Sequence, residues 1–249
     1  EYLEVCCPRH RFNYDDPAYI ESVAAWVSEL GLKVPLAHAP LSSPLLPHPL
    51  DLSHLDEDLR DWSLEETKKG ARVLARLGGS ILVVHAGTTL AEGEDPGPRL
   101  RQAERSLEEL VSYCAPQGIR LAVENLPPGR VTGNSQELRQ LVEAFEPEWV
   151  GICLDVGHAN IGEGAVTALE VVKDRLLTFH IDDNYGIVDD HIMPMKGTLD
   201  WASFMAALGR TGYDGWFTYE LVDREDVAKD LAEIQDNFRI LCGFMEKGR

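Results

Sequence analysis

Long apolar runs are missing from this chain of 249 residues: nothing comes near the ~18 consecutive apolar side chains of a membrane-spanning helix. No basic segment followed by an apolar one opens the sequence, so no secretory leader is read there. Cysteine is sparse and odd in number. Cys6, Cys7, Cys114, Cys153 and Cys242 contain no CxxC pair, which argues against a disulfide framework or a zinc ribbon and for reduced thiols in the cytoplasm. Basic residues are few, 23 Lys and Arg against 42 Asp and Glu, so the net charge is 23 − 42 = −19. Such a chain repels phosphate backbones, and nucleic acid is not an expected partner. Most of the excess reads as a hydrated surface, with some carboxylates kept to hold cations. No GxGxxG follows any apolar run, which leaves a dinucleotide fold without support. Repeats, low-complexity tracts and linkers are also absent, so we expect one domain over 1–249, with 44% hydrophobic residues to fill its core.

What is present is alternation. Short runs rich in Val, Ile, Leu and aromatics read as buried parallel strands at Tyr2–Cys7, Lys33–His38, Ser80–His85, Ile119–Asn125, Val150–Asp155, Leu176–His180 and Trp216–Leu221. Between them, helical spacing of apolar residues predicts helices at Pro17–Leu30, Leu64–Leu77, Arg99–Cys114, Gln136–Phe145, Ala165–Val172, Trp201–Leu208 and Asp226–Met245. The punctuation agrees: Pro17 opens the first, Gly31 follows its end, Gly78 and Gly79 follow the second, and Asn134 and Ser135 cap the fourth. Strand–helix alternation throughout predicts an α/β protein with a parallel sheet and helices outside; an open doubly wound sheet would show the same alternation, and the expected form is a (β/α)8 TIM barrel. A closed barrel of that kind has eight strand–helix units. Seven are legible, and the expectation is that the first βα unit is missing from this sequence. The Pro-, Ser- and Leu-rich loop Leu41–Leu55 is the expected mobile cover.

The strand ends carry the chemistry. KVPLAHAP, ILVVHAG, LAVENLP, GICLDVGHAN, LLTFHIDDN and WFTYELV each reach a potential metal ligand: His38, His85, Glu124, Asp155, His180 and Glu220. Singly, each has an ordinary explanation, a hydrogen-bonded histidine or a carboxylate capping the next helix. Together they mean more, because the C-terminal strand ends of a parallel barrel converge on the face where active sites are built. Two residues back from each stand Leu36, Val83, Ala122, Cys153, Thr178 and Thr218, apolar or small as a filled interior needs. Charges aimed into that space are costly unless they coordinate something. Asp155 and His158 add a DxxH, and Asp189 and His191 a DxH. Mixed His and carboxylate donors suit zinc, manganese or a similar divalent metal. His10, His48 and His54 lie outside the pattern and read as loop residues.

VENLP, GICLDVGHAN and FHIDDN…DDH…KGTLDW together resemble the xylose isomerase-like superfamily of (β/α)8 barrels. That superfamily includes sugar and sugar-phosphate isomerases and epimerases, and the endonuclease IV type of AP endonuclease family 2. The resemblance runs over nearly the whole chain. In the epimerase-like members it implies one metal on Glu124, Asp155, His180 and Glu220, with the two glutamates moving a proton beside a carbonyl and His158 contacting a substrate hydroxyl. In the endonuclease IV-like members it implies three zinc ions. The first would lie on His38, His85 and Glu124, the second on Glu124, Asp155, His180 and Glu220, and the third on His158, Asp189 and His191. The resemblance also gives Asp182 and Asn125 a role in orienting substrate or ligands. Lys196 departs from the small or acidic residue commoner in its turn, and would set a cation near a substrate phosphate or carboxylate.

The expectation drawn from all this is a divalent-metal-dependent sugar or sugar-phosphate isomerase or epimerase with one to three ions per chain. It would act on a small molecule in the cytoplasm, away from membranes, and could pair into a homo-oligomer. A multi-zinc phosphoester hydrolase is the alternative, and a binding barrel without turnover the third, since a barrel does not fix a reaction.

Overall fold

The computed structural model describes residues 2–222 and 227–248. Seven strands alternate with helices along it: β1 Tyr2–Cys6, β2 Lys33–His38, β3 Ile81–Val84, β4 Arg120–Glu124, β5 Val150–Asp155, β6 Leu176–Ile181 and β7 Trp216–Tyr219. The helices are α1 Pro17–Glu29, α2 Glu57–Leu77, α3 Pro96–Cys114, α4 Ser135–Glu143, α5 Val156–Ile161, α6 Ala165–Val172, α7 Trp201–Thr211 and α8 Val227–Gly248. Strand order in the sheet is the order of the chain, β1 to β7. A doubly wound sheet would reverse its order at a switch point, whereas sequential order is what a barrel requires.

Local chemistry explains where the helices start. Asp16, Asp56 and Asp95 stand at the caps of α1, α2 and α3 and accept from the first free N–H groups, with Pro17 and Pro96 in the first turns of α1 and α3. The second helix begins at Glu57, well before the expected Leu64. Its first turns bury polar Arg60 and Ser63, which an apolar count passes over. Arg60 is tolerated there because its guanidinium meets Glu57, Asp61 and Glu109, the last at 2.8 Å. The short helix α5 was not expected; it begins directly after β5, capped by Asp155. Asp226, where the sequence opens its last helix, lies outside the described residues.

The described residues form two compact units. One takes in the chain as far as Glu124, with Gly129–Thr132 and Gln140–Ile152; the other takes Asn125–Pro128, Gly133–Arg139 and the chain from Cys153 onward. In the first, β1 to β4 are parallel neighbours, with Leu36 opposite Ile81, His38 opposite Val83 and Val83 opposite Ala122. Leu36, Leu82, Val83, Val84, Leu121, Ala122 and Val123 are buried, and Cys7, Phe12, Tyr14 and Val73 form a further cluster. In the second, β6 and β7 pair in parallel, and Phe179 meets Phe204 and Tyr213 edge-on with ring centroids 6.0 and 5.0 Å apart. Helices α7 and α8 approach so closely that a Cβ on Gly209 would lie 2.6 Å from the Met245 carbonyl oxygen. Of the residues expected to fill the interior, Leu36, Val83, Ala122, Cys153 and Thr178 are buried and Thr218 is half-buried.

Loop 41–55 is only in part a candidate cover. Its end, Asp51 to Ser53, is buried and tied down. Arg99 donates to Asp51 Oδ2, to the Ser53 carbonyl at 2.9 Å and to Thr88 Oγ1 at 3.2 Å, and Thr88 itself donates to Asp51 at 2.7 Å. Among the described residues no helix is long and apolar enough to cross a membrane.

Candidate metal centre

In the first unit the strand register brings three predicted ligands together. Val83 lies opposite Ala122, so His85, just past the end of β3, and Glu124, the last residue of β4, each two residues further on, come level. His38 closes β2 beside them. Glu124 Oε2 is 3.2 Å from Nε2 of both His38 and His85, and the two rings meet edge-on with centroids 4.9 Å apart. His38 Nδ1 is 2.8 Å from the Ala39 carbonyl. A carbonyl only accepts, so Nδ1 carries the proton and a neutral ring leaves its Nε2 lone pair facing Glu124. Tetrahedral bonds of ~2.0–2.1 Å have edges of ~3.3 Å, so the 3.2 Å separations fit donors around one ion.

The second unit collects the rest. His180 closes in on Glu220, with Nδ1 2.8 Å from Oε2, and lies 4.0 Å from Asp155 Oδ2. Register again explains it: His180 stands opposite Thr218, and Glu220 follows two residues on, its N–H bonded to the Ile181 carbonyl. Asp155 is fixed from two sides. Its Oδ1 accepts the His158 N–H at 2.6 Å, while its backbone N–H and C=O are bracketed by the Asn125 amide at 2.8 and 2.9 Å. Asn125, expected to meet substrate, thus spends its side chain on holding the end of β5.

His158, Asp189 and His191 form a group that mirrors the one in the first unit. Asp189 Oδ2 is 3.0 Å from His158 Nε2 and 3.2 Å from His191 Nε2. His158 Nδ1 is held by the Asn125 carbonyl at 2.8 Å, so its Nε2 is the nitrogen that faces the carboxylate. Burial works against the Asp189 charge, but the hydrogen bonds from His158 and His191 outweigh it and hold its pKa well below the usual carboxylate range. Burial likewise disfavours charge on His191, and the bond to Asp189 with the charges of Glu220 and Asp155 raises its pKa to about 9 all the same. His191 also sits at φ +44°, a left-handed conformation that a side chain-bearing residue adopts at some cost.

The two adjacent aspartates after His180 have opposite environments, which sequence reasoning did not separate. Asp183 is a hub. Its carboxylate accepts from the backbone N–H groups of Asn184, Met195, Gly197 and Leu199 at 2.9 to 3.2 Å and from the Trp201 indole at 2.8 Å. Its own backbone bridges Ile192 in both directions, so one residue organises the loop that carries Asp189 and His191. This explains the GTLDW signature. A Cβ on Gly197 would meet the Asn184 carbonyl oxygen at 2.2 Å and Asp183 Oδ1 at 2.3 Å, and Trp201 supplies a donor. Asp182 is as deeply buried, yet among the described residues neither of its oxygens has a hydrogen-bond partner. Burial and the charges of Asp155, Asp189 and Glu220 push its pKa well up, against the opposing pull of His158.

That buried carboxylate, together with clusters of Nε2 and carboxylate donors, fits a cation site, because an isolated carboxylate out of water costs several kcal/mol. The donor set is of the mixed nitrogen and oxygen kind that zinc and manganese take. An open cleft of about 750 Å³ beside it is lined by His191, Tyr185, Met193, Lys196, Val222 and Asp236. Lys196 is exposed on its wall with its ammonium 3.2 Å from Glu233, so the expected substrate-facing cation is already partnered by an acid. His10, His48 and His54 lie away from the donor groups, near Ser43, against Trp62 and at the Asp56 N–H respectively.

A model of the family described as "Xylose isomerase-like TIM barrel" matches residues 1–241. An L-ribulose 3-epimerase from Methylomonas is 29% identical over 206 residues, 79% of this chain and 68% of that protein. A probable endonuclease 4 from Aquifex aeolicus is 29% identical over 115 residues, 45% of this chain and 40% of that one. The chain spans about half the length, 53%, of the first curated relative it matches. Among solved structures, a D-tagatose 3-epimerase-like protein superposes with a TM-score of 0.84 over 97% of this chain and 90% of its own, at 22% identity. At that identity the likeness speaks for the fold.

Proposed function

The chain belongs to the xylose isomerase-like TIM barrel family, and from that premise we propose that it is a divalent-metal-dependent ketose epimerase or isomerase, a single domain working in the cytoplasm. The observation that carries the reading is the gathering of strand-end His and carboxylate side chains into donor groups beside a buried, hydrogen-bond-free Asp182. The extent of likeness supports sugar chemistry over phosphoester cleavage, since the epimerase match runs over 79% of the chain and the endonuclease match over 45%. The net charge of −19 points the same way, being poor for gripping a nucleic acid.

In this reading Asp155, His180 and Glu220 hold the ion. A divalent ion bound there supplies a Lewis acid for a substrate carbonyl. Glu220 is one-third exposed and is the carboxylate a substrate reaches, so it takes the proton from the carbon beside the carbonyl. The proton held on Glu220, or one exchanged for it from water, is then returned to that carbon. Asn125 positions Asp155. His158 acts through Asp189, because its two ring nitrogens already face the Asn125 carbonyl and that carboxylate. The cleft by His191 receives the sugar.

One observation favours a second reading, multi-zinc phosphoester hydrolysis: the His38/His85/Glu124 and His158/Asp189/His191 groups are each complete donor sets. The deciding experiment incubates the metal-loaded protein in D2O with ketoses and ketose phosphates and follows them by NMR. Deuterium entering at the carbon beside the carbonyl, lost in Glu220→Gln, is the expected result. Cleavage of a phosphoester with no exchange into any ketose would refute the epimerase reading.

A further inference from the structure

We propose that Asp182 is the positioning residue that fixes His191 as a metal ligand, by accepting the Nδ1 proton so that Nε2 faces the ion held with His158 and Asp189. The inference rests on the reading of that group as a metal site.

The argument begins with a pattern in the other histidines. His38 and His158 each turn Nε2 toward a carboxylate oxygen at 3.2 and 3.0 Å, and each anchors Nδ1 on a backbone carbonyl at 2.8 Å. A second-sphere acceptor of this kind sets the tautomer and the ring plane of a metal-binding histidine. His191 presents Nε2 in the same way, 3.2 Å from Asp189 Oδ2, but among the described residues no carbonyl takes its Nδ1. That nitrogen is buried without a hydrogen-bond partner, and the group it faces is Asp182 Oδ2 at 3.9 Å. Both Asp182 oxygens are also without hydrogen-bond partners, so two unsatisfied groups of complementary chemistry look at each other across about 1 Å more than a hydrogen bond spans. Leaving both unsatisfied is costly, and one small movement satisfies both.

Backbone geometry keeps the pair in place. The antiparallel bridge between Asp183 and Ile192 makes Asp182 and His191 diagonal neighbours across it. Gly157 gives Asp182 its room, since a Cβ there would lie 2.0 Å from Oδ1. A carboxylate acceptor in place of a carbonyl also makes His191 the most strongly donating of the three imidazoles, because the charge on Asp182 raises ligand basicity.

Zinc binding to the full chain tests this, read as stoichiometry, as affinity by chelator competition, and as long-range 1H–15N spectra of the histidine rings. The Asp189→Ala/His191→Ala double variant identifies the ion; unchanged stoichiometry there would remove the metal reading on which the inference rests. Once that ion is identified, Asp182→Ala is expected to weaken it about 100-fold and Asp182→Asn, whose amide oxygen still accepts, about 10-fold. Other ions should be unaffected, and the wild-type spectrum should show His191 protonated at Nδ1 and metallated at Nε2. The near-isosteric Asn variant guards against simple misfolding. Wild-type affinity in both Asp182 variants, metal on Nδ1 of His191, or loss of the ion in Asp182→Asn as complete as in the double variant would each overturn the assignment.

Discussion

Replacing Asp183 by Asn should loosen the loop that carries Asp189 and His191. Asp183 is fully buried and takes five donors: Oδ2 serves Met195, Gly197 and the Trp201 indole, and Oδ1 serves Asn184 and Leu199. An Asn side chain can keep its oxygen on the three-donor side, but its NH2 then confronts the N–H groups of Asn184 and Leu199. Two charge-assisted bonds are lost, at ~1.5–3 kcal/mol each, and the gain from no longer burying a charge offsets part of this. A net loss of about 3 kcal/mol follows, which for a chain of this size lowers the melting temperature by roughly 6–12 °C. Thermal denaturation measures the total, and hydrogen exchange localises it. The amides of Met195, Gly197 and Leu199 should lose protection while those of β3 and β4 keep theirs. A variant that melts within about 1 °C of the parent with those three amides still protected would show that the hub does not hold the loop.

Other consequences are equally open to measurement. Gly157→Ala puts a methyl 2.0 Å from Asp182 Oδ1 and should cost about 1–3 kcal/mol in urea denaturation; no change in midpoint would mean that Asp182 can move aside freely. Arg99→Met takes the guanidinium from the buried Asp51 carboxylate, which keeps only the Ser53 and Thr88 donors, and should cost about 3 kcal/mol; because Thr88 lies three residues past His85 it should also weaken metal held by His38, His85 and Glu124. A cost under about 1 kcal/mol would place Arg99 among ordinary surface pairs. The His191 pKa of the metal-free protein is raised to about 9, so His191 contributes stability that is complete below its unfolded value of about 6.5 and fades as pH rises through about 9. An ion at Nε2 must displace that proton, so calorimetry in buffers of different ionisation heat should find about one proton released by His191 per ion at pH 7 and almost none near pH 10. Equal proton release at both pH values would argue that the ion does not bind at His191.

Much of the fold was legible because its determinants are local. Lys33–His38, Val150–Asp155 and Ala165–Val172 begin and end where apolar runs, caps and breakers put them. The early start of α2 was hidden because Arg60 faces the interior as a charge, made acceptable by carboxylates distant in sequence such as Glu109. The ligands were legible as a set of polar residues ending apolar strands, and the family resemblance already grouped His38 with His85 and Glu124 and His158 with Asp189 and His191, but the atoms that meet were not legible. Which carboxylate oxygen faces which imidazole follows from register and from loops, so Asn125 and Lys196 turned out to be committed elsewhere, to the Asp155 backbone and to Glu233.

Asp182 and Asp183 mark the boundary between the two kinds of information. By itself the sequence determined that two carboxylates follow His180 and that, on extended backbone, neighbouring side chains leave in opposite directions. Only the tertiary structure decided that one direction meets five N–H donors from a loop folded back over it, and the other a pocket with three more carboxylates where His191 Nδ1 stands off at 3.9 Å. The physical reason is that the cost of burying a charge depends on what else the fold brings to it, and those partners come from residues up to tens of positions away.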